Sequence, residues 1–562
     1  MLPPDGFVTG DQGSKFLQAR AFADKGPLDP GIDVRARDLD PAYRYQEPKL
    51  KARRGRLVSE FLWLLPLTTA PFLALAGLRG LYVVPAIATL VIFIAAAALG
   101  RRLGEGRGIW SGWIAVAATP VIVYGLELWE HAPAAACAIT AAVWLAPGGE
   151  RLSVAPGLTP KWRRSAAAGA AVALGALFRE EVVMALPALL IARAVSAPRE
   201  RMRDLVVTGA AAGAGAAVIF AAMVPVNLMI YGAPLPMHMT QDAWNVAIST
   251  PYLRVRRDVV VDLLLPYRWA ALFVIAAAGG LAAASMRIRA PRGASTVSAS
   301  RDRTLLACVH AAVIVMLIVG VVAPIWRLAH GIRPHDAYRL TSVAHTWPFA
   351  LAVLYWPWTR GTGDDAMARY LLAAALLLFA GAALVIPTSG GSQWSPRFLL
   401  AAAPLLAVVA AAVAVAPTDD RPALAWMART VLAGSILMQA TGVLYVQRTK
   451  ARDARITHAL AERTTADEVV ASDVFWVPQI AATLAPGRRL LFAWTPADVA
   501  SIAARAAAHG IDRVAFVSAP ELTGYDPPDV LPGAGSCHFT RRERVSLGEL
   551  GLMLHRYACD PR

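Results

Sequence analysis

Apolar residues run along this chain in long blocks, at roughly 79–99, 108–126, 132–147, 164–178, 182–196, 204–226, 267–286, 304–325, 344–358, 370–387, 398–416 and 424–446. Each block is near the ~20 residues that a helix needs to cross ~30 Å of hydrocarbon, so the pattern predicts about twelve transmembrane helices. The stretch 59–77 (SEFLWLLPLTTAPFLALAG) holds two prolines and several polar residues, and reads as an interfacial or re-entrant segment. Ahead of it, Phe16, Leu17, Ala21 and Phe22 keep a spacing that suits one face of an amphipathic helix able to lie on a membrane. The tail is different. ADEVVASDVFWVPQIAATLAP, RRLLFAW and TPADVASIAARAAAHGIDRVAFVS alternate strand and helix, and CHFTRRERV and GLMLHRYAC add two strands. The predicted fold class is an α-helical polytopic membrane bundle with a small C-terminal α/β domain whose sheet is partly parallel. The expected domains are a first loop at 1–58, the bundle at 59–446 and the α/β domain at 447–562.

Composition agrees: of 562 residues, 57% are hydrophobic and only 17% charged. That balance excludes an ordinary soluble enzyme, and it excludes intrinsic disorder. The formal charge of +16 does not point to nucleic acid, because no basic stripe is interleaved with stacking aromatics. It follows instead from Arg retained in cytoplasmic loops. Loops 100–107, 148–163, 197–203 and 287–303 are dense in Arg, whereas 127–131, 179–181 and 388–397 contribute only Arg179 and Arg397. The first set is therefore expected in the cytoplasm, which puts 1–58, 227–266, 326–343 and 447–562 outside. Nothing ahead of residues 1–58 would carry them across, so a first transmembrane helix is expected to be missing before Met1, through a misplaced start or a truncation. Cys137 and Cys308 fall in apolar spans and read as packing residues. Cys537 and Cys559 share the polar tail, where a disulfide would require an oxidising compartment.

Acidic residues at membrane boundaries are costly and often functional. Three clusters fall on the expected outer side. Asp11, in Gly10-Asp11-Gln12-Gly13-Ser14-Lys15, stands at the start of the amphipathic helix; it reads as a helix cap or as a catalyst, and one Asp can do both. Glu127-Leu128-Trp129-Glu130-His131 ends a span, with Trp129 suited to the interface and Glu127 and Glu130 able to face one aqueous pocket or simply a solvated helix end. Arg179-Glu180-Glu181 lies between two short apolar stretches, and Arg179 can pair with an acid for structure alone. In Gly390-Gly391-Ser392-Gln393-Trp394-Ser395-Pro396-Arg397-Phe398, Arg397 sits at headgroup depth, with a planar donor fork that suits phosphate or with nothing more than snorkelling to do. The loop 326–343 holds Arg327, His330, Arg333, His335, Asp336 and Arg339, with His345 following; its His and Asp density can hold a divalent cation, but the spacing matches no ligand motif. Asn227, Tyr231, Gly232, His238 and Asp242 are weaker candidates.

The order of the pieces resembles the start of the GT-C superfamily, integral-membrane glycosyltransferases of the family 39 type that include protein O-mannosyltransferases and aminoarabinose transferases. The acidic GDQG motif comes first, then a helix ending at Lys25-Gly26, a stretch with Tyr43, Tyr45 and Pro48, and SEFLWLLPLTTAPFLALAG-LRGLYVVP. The resemblance covers about residues 5–446, and its distinctive parts are the first hundred residues and the WSPRF loop. It implies transfer of a sugar from a polyprenyl phosphate to a glycan, lipid or protein acceptor outside a bacterial cytoplasmic membrane. By position, Asp11 matches the family's essential acid, a general base for the acceptor hydroxyl. A cationic clamp on the leaving phosphate is implied, with Arg397 the first candidate and Arg179 the second. Glu130, beside His131, stands where the family often places a second acid; Lys15 and Glu180 join the candidate substrate-binding residues. The resemblance leaves a divalent cation open. The competing class is a transporter or flippase of a lipid-linked sugar, which would place charges mid-span and often show inverted repeats. On this reading Asp11, Glu130 and Arg397 should meet in one outer cavity.

Overall fold

In the computed structural model, which describes residues 2–147, 161–196, 202–237, 259, 270–289, 296–322, 325–326, 342–359, 365–386, 394–416, 422–533 and 537–561, the first regular sheet is made by a two-residue turn. Arg54 and Gly55 both take positive φ (50° and 72°), the geometry that matches the twist of a tight hairpin. The turn pairs β1 (Leu50–Arg53) with β2 (Arg56–Ser59) antiparallel, Leu50 opposite Ser59. The chain divides into two compact units, one of Met1–Val84, Met223–Thr240 and Tyr445–Arg562, the other of Pro85–Ala222 and Gln241–Leu444.

In the first unit the tail forms the α/β layer that its alternating pattern predicts. Strands β3 (Val469–Ser472), β4 (Arg489–Phe492), β5 (Arg513–Ser518), β6 (Val530–Pro532), β7 (Cys537–Ser546) and β8 (Met553–Pro561) form one sheet in the order β4-β3-β5-β8-β7-β6. β3 is parallel to β4 and β5, and the remaining pairs are antiparallel. Helix Pro496–Ala508 crosses between β4 and β5, started by a reciprocal Thr495–Asp498 capping box. Cys537 and Cys559 are joined in a disulfide between β7 and β8. The opening of the chain completes this core. Ala36, Leu39 and Tyr45 are buried with Val469, Phe516 and Ile502, and the Phe492 amide donates to the Tyr45 carbonyl at 2.7 Å.

Helix Gly10–Lys25 belongs to the same unit, and its start differs from expectation. Residues Gln12 to Ala19 are buried all round, packed against helices Leu64–Ala76 and Trp476–Ile480. The apolar positions are thus core positions of this unit rather than a stripe left for a membrane.

Six helices among the described residues are long and apolar enough to cross a membrane: Leu64–Leu103, Met202–Tyr231, Ser300–Val322, Asp365–Leu384, Arg397–Ala414 and Pro422–Arg463. The segment read as re-entrant is helical over Leu64–Ala76 and runs on through a tight turn, Gly77–Tyr82, into helix Val83–Leu103. Several apolar blocks make shorter helices. Pro120 separates helix Arg107–Ala117 from the turn Val121–Tyr124, and helix Ala185–Ser196 has only 12 residues. At 1.5 Å per residue such helices reach roughly half the hydrocarbon thickness. Hydropathy counts apolar residues and not unbroken backbone, hence the larger expected number. In the second unit helix Lys161–Phe178 and residues 202–222 of helix Met202–Tyr231 approach through small residues: a Cβ on Gly169 would stand 1.7 Å from the Ala212 carbonyl oxygen, and one on Gly215 would stand 1.9 Å from that of Ala166. Membrane helices associate by this kind of close backbone packing.

Candidate functional site

The second unit brings three of the distant charged stretches together. Glu130 is the N-cap of helix His131–Leu145, Arg179 directly follows helix Lys161–Phe178, and Arg397 opens the tight turn Arg397–Ala402 that leads into helix Ala403–Ala414. Arg179 is the hub. Its Nη1 donates to Glu130 Oε1 at 3.1 Å, and its Nε donates to Glu181 Oε1 and Oε2 at 3.1 and 3.2 Å. The three side chains are only 5–7% exposed. Half-buried Glu180 adds its negative charge to the field at the same guanidinium.

Aromatic faces hold the cations in place. The Arg179 and Arg397 guanidinium carbons each lie 5.1 Å from the centre of the Phe398 ring, and that of Arg397 lies 5.6 Å from Trp129. His131 is 6.3 Å from Phe398 and 5.7 Å from Trp129. Trp129 stacks on Tyr124 at 5.3 Å, and the Tyr124 hydroxyl donates to the Trp394 carbonyl at 2.6 Å. Ser395 takes a positive φ of 70°, and its Oγ accepts from Thr346 Oγ1 at 3.0 Å and Trp347 Nε1 at 2.9 Å. That fixed turn aims Arg397. Two expectations change here. Trp129 is core rather than interfacial, and Glu127 and Glu130 are buried rather than set at a solvated helix end. The cause is the aromatic cluster, which encloses the 127–131 loop.

Asp11 and Lys15 belong to the first unit. Thr9 is the N-cap of their helix, so Asp11 sits in its first turn, where a negative charge suits the helix dipole, and it is half-buried. Lys15 Nζ lies 4.5 Å from the centre of the Phe61 ring. Around this turn Ser14 Oγ donates to Glu47 Oε1 at 2.5 Å, and Gln479 Nε2 and the Lys49 amide donate to Glu47 Oε2 at 2.8 Å each. Lys49 Nζ donates to Glu60 Oε1 at 2.6 Å and lies in the field of Asp11. Trp63 Nε1 donates to Asn227 Oδ1 at 2.9 Å and the Tyr231 hydroxyl to the Phe61 carbonyl at 2.7 Å, so those weak candidates serve packing. His238, Asp242, residues 327–341 and residues 390–393 lie outside the described residues.

No family model matches the chain, and no curated protein matches it. Solved structures do resemble it. The ArnT of Cupriavidus metallidurans in the apo state is similar over 98% of this chain and 94% of its own, at 14% identity and a TM-score of 0.47. The same protein bound to undecaprenyl phosphate gives 13% identity and a TM-score of 0.42 over the same shares. The apo oligosaccharyltransferase of Archaeoglobus fulgidus is similar over 91% of this chain and 66% of its own, at 12% identity and a TM-score of 0.47. These neighbours are GT-C glycosyltransferases, the superfamily that the opening of the chain resembles. With TM-scores below 0.5, no residue role in this chain rests on the likeness.

Glu47, Lys49, Glu60 and Gln479 are the polar residues around Asp11 that the sequence reading passed over. One signal for two of them was present. The Arg54-Gly55 turn sets a register that brings Lys49 beside Glu60, whose amide donates to the Lys49 carbonyl at 2.9 Å. A divalent cation finds no fit among the described residues. No group of three or more His, Cys, Asp or Glu among these residues is arranged to hold one, and the Glu130 and Glu181 carboxylates are engaged by the Arg179 guanidinium, which repels a cation.

Proposed function

We propose that the chain is a membrane glycosyltransferase that moves a sugar from a polyprenyl-phosphate donor to an acceptor hydroxyl on the outer face of a bacterial cytoplasmic membrane. The observation that carries this reading is the charged knot of the second unit, where Glu130, Arg179, Glu181 and Arg397 gather at helix ends. Buried ionised groups among membrane helices are expensive and mark functional sites. A carrier of cargo through the bilayer would put such groups near mid-span. The Cys537–Cys559 disulfide supports an oxidising, extracytoplasmic setting for the tail.

The roles follow from the chemistry of the transfer. The acceptor hydroxyl is a weak nucleophile. Asp11 takes its proton as the oxygen bonds to the anomeric carbon; the bond from that carbon to the phosphate oxygen breaks, and the electron pair leaves with the phosphate. Arg397 stabilises the charge that develops there. Arg179, with Nε and Nη1 engaged by carboxylates, holds Glu130 as the second acid. Lys15, His131 and Glu180 complete the proposed substrate contacts. No step is routed through a metal.

The test is transfer of radiolabelled sugar from a panel of polyprenyl-phosphate sugars to bacterial envelope acceptors by the purified, lipid-reconstituted chain. Label should pass into a new glycosidic bond, and Asp11→Asn should lower the rate by about 10²–10⁴-fold at unchanged expression. Accumulation of donor inside sealed vesicles with no bond formed would overturn the reading in favour of transport.

A further inference from the structure

Glu47 is a buried carboxylate without a role in the transfer just described, yet it lies at the centre of the contacts around the Asp11 turn. Its three donors come from three separate stretches: Ser14 in the helix, the Lys49 amide at the start of the hairpin, and Gln479 in the tail helix Trp476–Ile480. Ser14 is three residues beyond Asp11 and shares its helix face. The backbone is drawn in at the same place, since a Cβ on Gly13 would stand 1.8 Å from the Gln479 carbonyl oxygen. The first turn of the helix therefore rests directly on the residue that also binds Glu47.

We propose that Glu47 is a positioning residue for Asp11: it pins the first turn of helix Gly10–Lys25 to Gln479 and to the Lys49 loop, and so sets where the Asp11 carboxylate points. The proposal rests on the reading of Asp11 as the base of a sugar transfer. The charged groups around Glu47 are few. Glu60 opposes its ionisation; Lys49 Nζ favours it but is paired with Glu60, with Lys51 Nζ a further 3.6 Å partner of Glu60. The charge of Asp11 favours the Lys49 ammonium, Lys15 lies on Phe61, and helix Trp476–Ile480 brings no titratable group. Burial outweighs the three donors and lifts the Glu47 carboxyl to about 7. The sign follows. The closed turn holds this proton more tightly than an opened one, so closure is favoured at low pH and weakens as pH rises from the ordinary carboxylate range through about 7.

Two measurements on the full, reconstituted chain test this. In the first, amide hydrogen exchange of peptides covering residues 8–20, corrected for intrinsic rates, should show at least tenfold less protection at pH 8 than at pH 5.5 in the wild type. Glu47→Gln, whose side-chain oxygen still accepts from Gln479 and the Lys49 amide while its NH₂ donates to Ser14, should remove that pH dependence. Glu47→Ala, which leaves the buried Ser14 and Gln479 donors and the half-buried Lys49 amide without this acceptor, should lower protection at both pH values. In the second, Glu47→Ala should lower kcat of transfer by about tenfold with KM for the donor unchanged, and Glu47→Gln should restore most of the rate. Protection that is indifferent both to pH and to Glu47→Ala overturns the proposal, as does wild-type kcat in Glu47→Ala. A wild-type chain that transfers no sugar but shows the exchange behaviour overturns the glycosyltransferase reading and leaves the Glu47 contact standing. Should Glu47→Ala fail to fold, the wild-type pH series and Glu47→Gln still decide.

Discussion

Replacing Arg179 by Met separates structure from chemistry in the second unit. Met fills much of the Arg stem's volume but removes the guanidinium that meets Glu130 at 3.1 Å and Glu181 at 3.1 and 3.2 Å. Both carboxylates, at 5–7% side-chain exposure, then lose the counter-charge that Arg179 supplies. Breaking a buried pair by deleting one partner costs ~3–5 kcal/mol, because the charge left behind is uncompensated. Neutralising the survivors as well, in Arg179→Met with Glu130→Gln and Glu181→Gln, should recover all but about 1 kcal/mol, since a buried ion cluster and a neutral replacement of similar volume are close in stability. Thermal unfolding of the detergent-solubilised chain reads this as a clear fall in melting temperature for the single variant and a near-complete return for the triple. Transfer activity must not return with it, because Glu130 is the proposed second acid. A single variant as stable as wild type refutes the assigned energetics, and an active triple variant refutes the role of Glu130.

Arg397→Lys keeps a positive charge but loses the planar fork and the stacking on Trp129 and Phe398; transfer should fall about 10–100-fold with the melting temperature unchanged, and undiminished transfer would remove Arg397 as the phosphate clamp. Cys559→Ser opens a loop of sequence separation 22 and should cost the tail about 3 kcal/mol. That loss would be seen as faster protease cleavage of the tail in the variant than in the wild type under non-reducing conditions, and equal rates would sink the assignment.

Much of the tail was legible because its signals are local. VVAS, RLLF and RVAFVS are short β-rich runs spaced by a helical pattern, and they became β3, β4 and β5 in the parallel part of the sheet. The three charged stretches at 127–131, 179–181 and 394–398 were also legible as unusual, because charge at the edge of an apolar block stands out. Their depth was not. Burial of Glu130 and Trp129 depends on Phe398 and Trp394 arriving from more than 250 residues further along the chain, and no spacing encodes that meeting. Helix Gly10–Lys25 shows the same limit. Its apolar spacing predicted a helix correctly, but which surface covers it depends on the Gln479 region, more than 400 residues away.

Arg179 is the weaker of the two candidates for the proposed phosphate clamp because of how its guanidinium is occupied. Arg179 spends its N–H edge on carboxylates, with Nε and Nη1 both donating to glutamates. A cation whose edge is filled by negative oxygens has little left to offer a phosphate. Trp129 and Phe398 lie within stacking range of the Arg397 guanidinium. Stacking engages the face of the guanidinium plane, whereas its donors lie in the plane. The turn beneath the proposed clamp is held as well. Ser395, in its left-handed conformation, is tied by Thr346 and Trp347 and cannot rotate freely, so the backbone that carries Arg397 is fixed before any substrate arrives. Fixing it in advance lowers the ordering entropy that the transition state would otherwise have to supply.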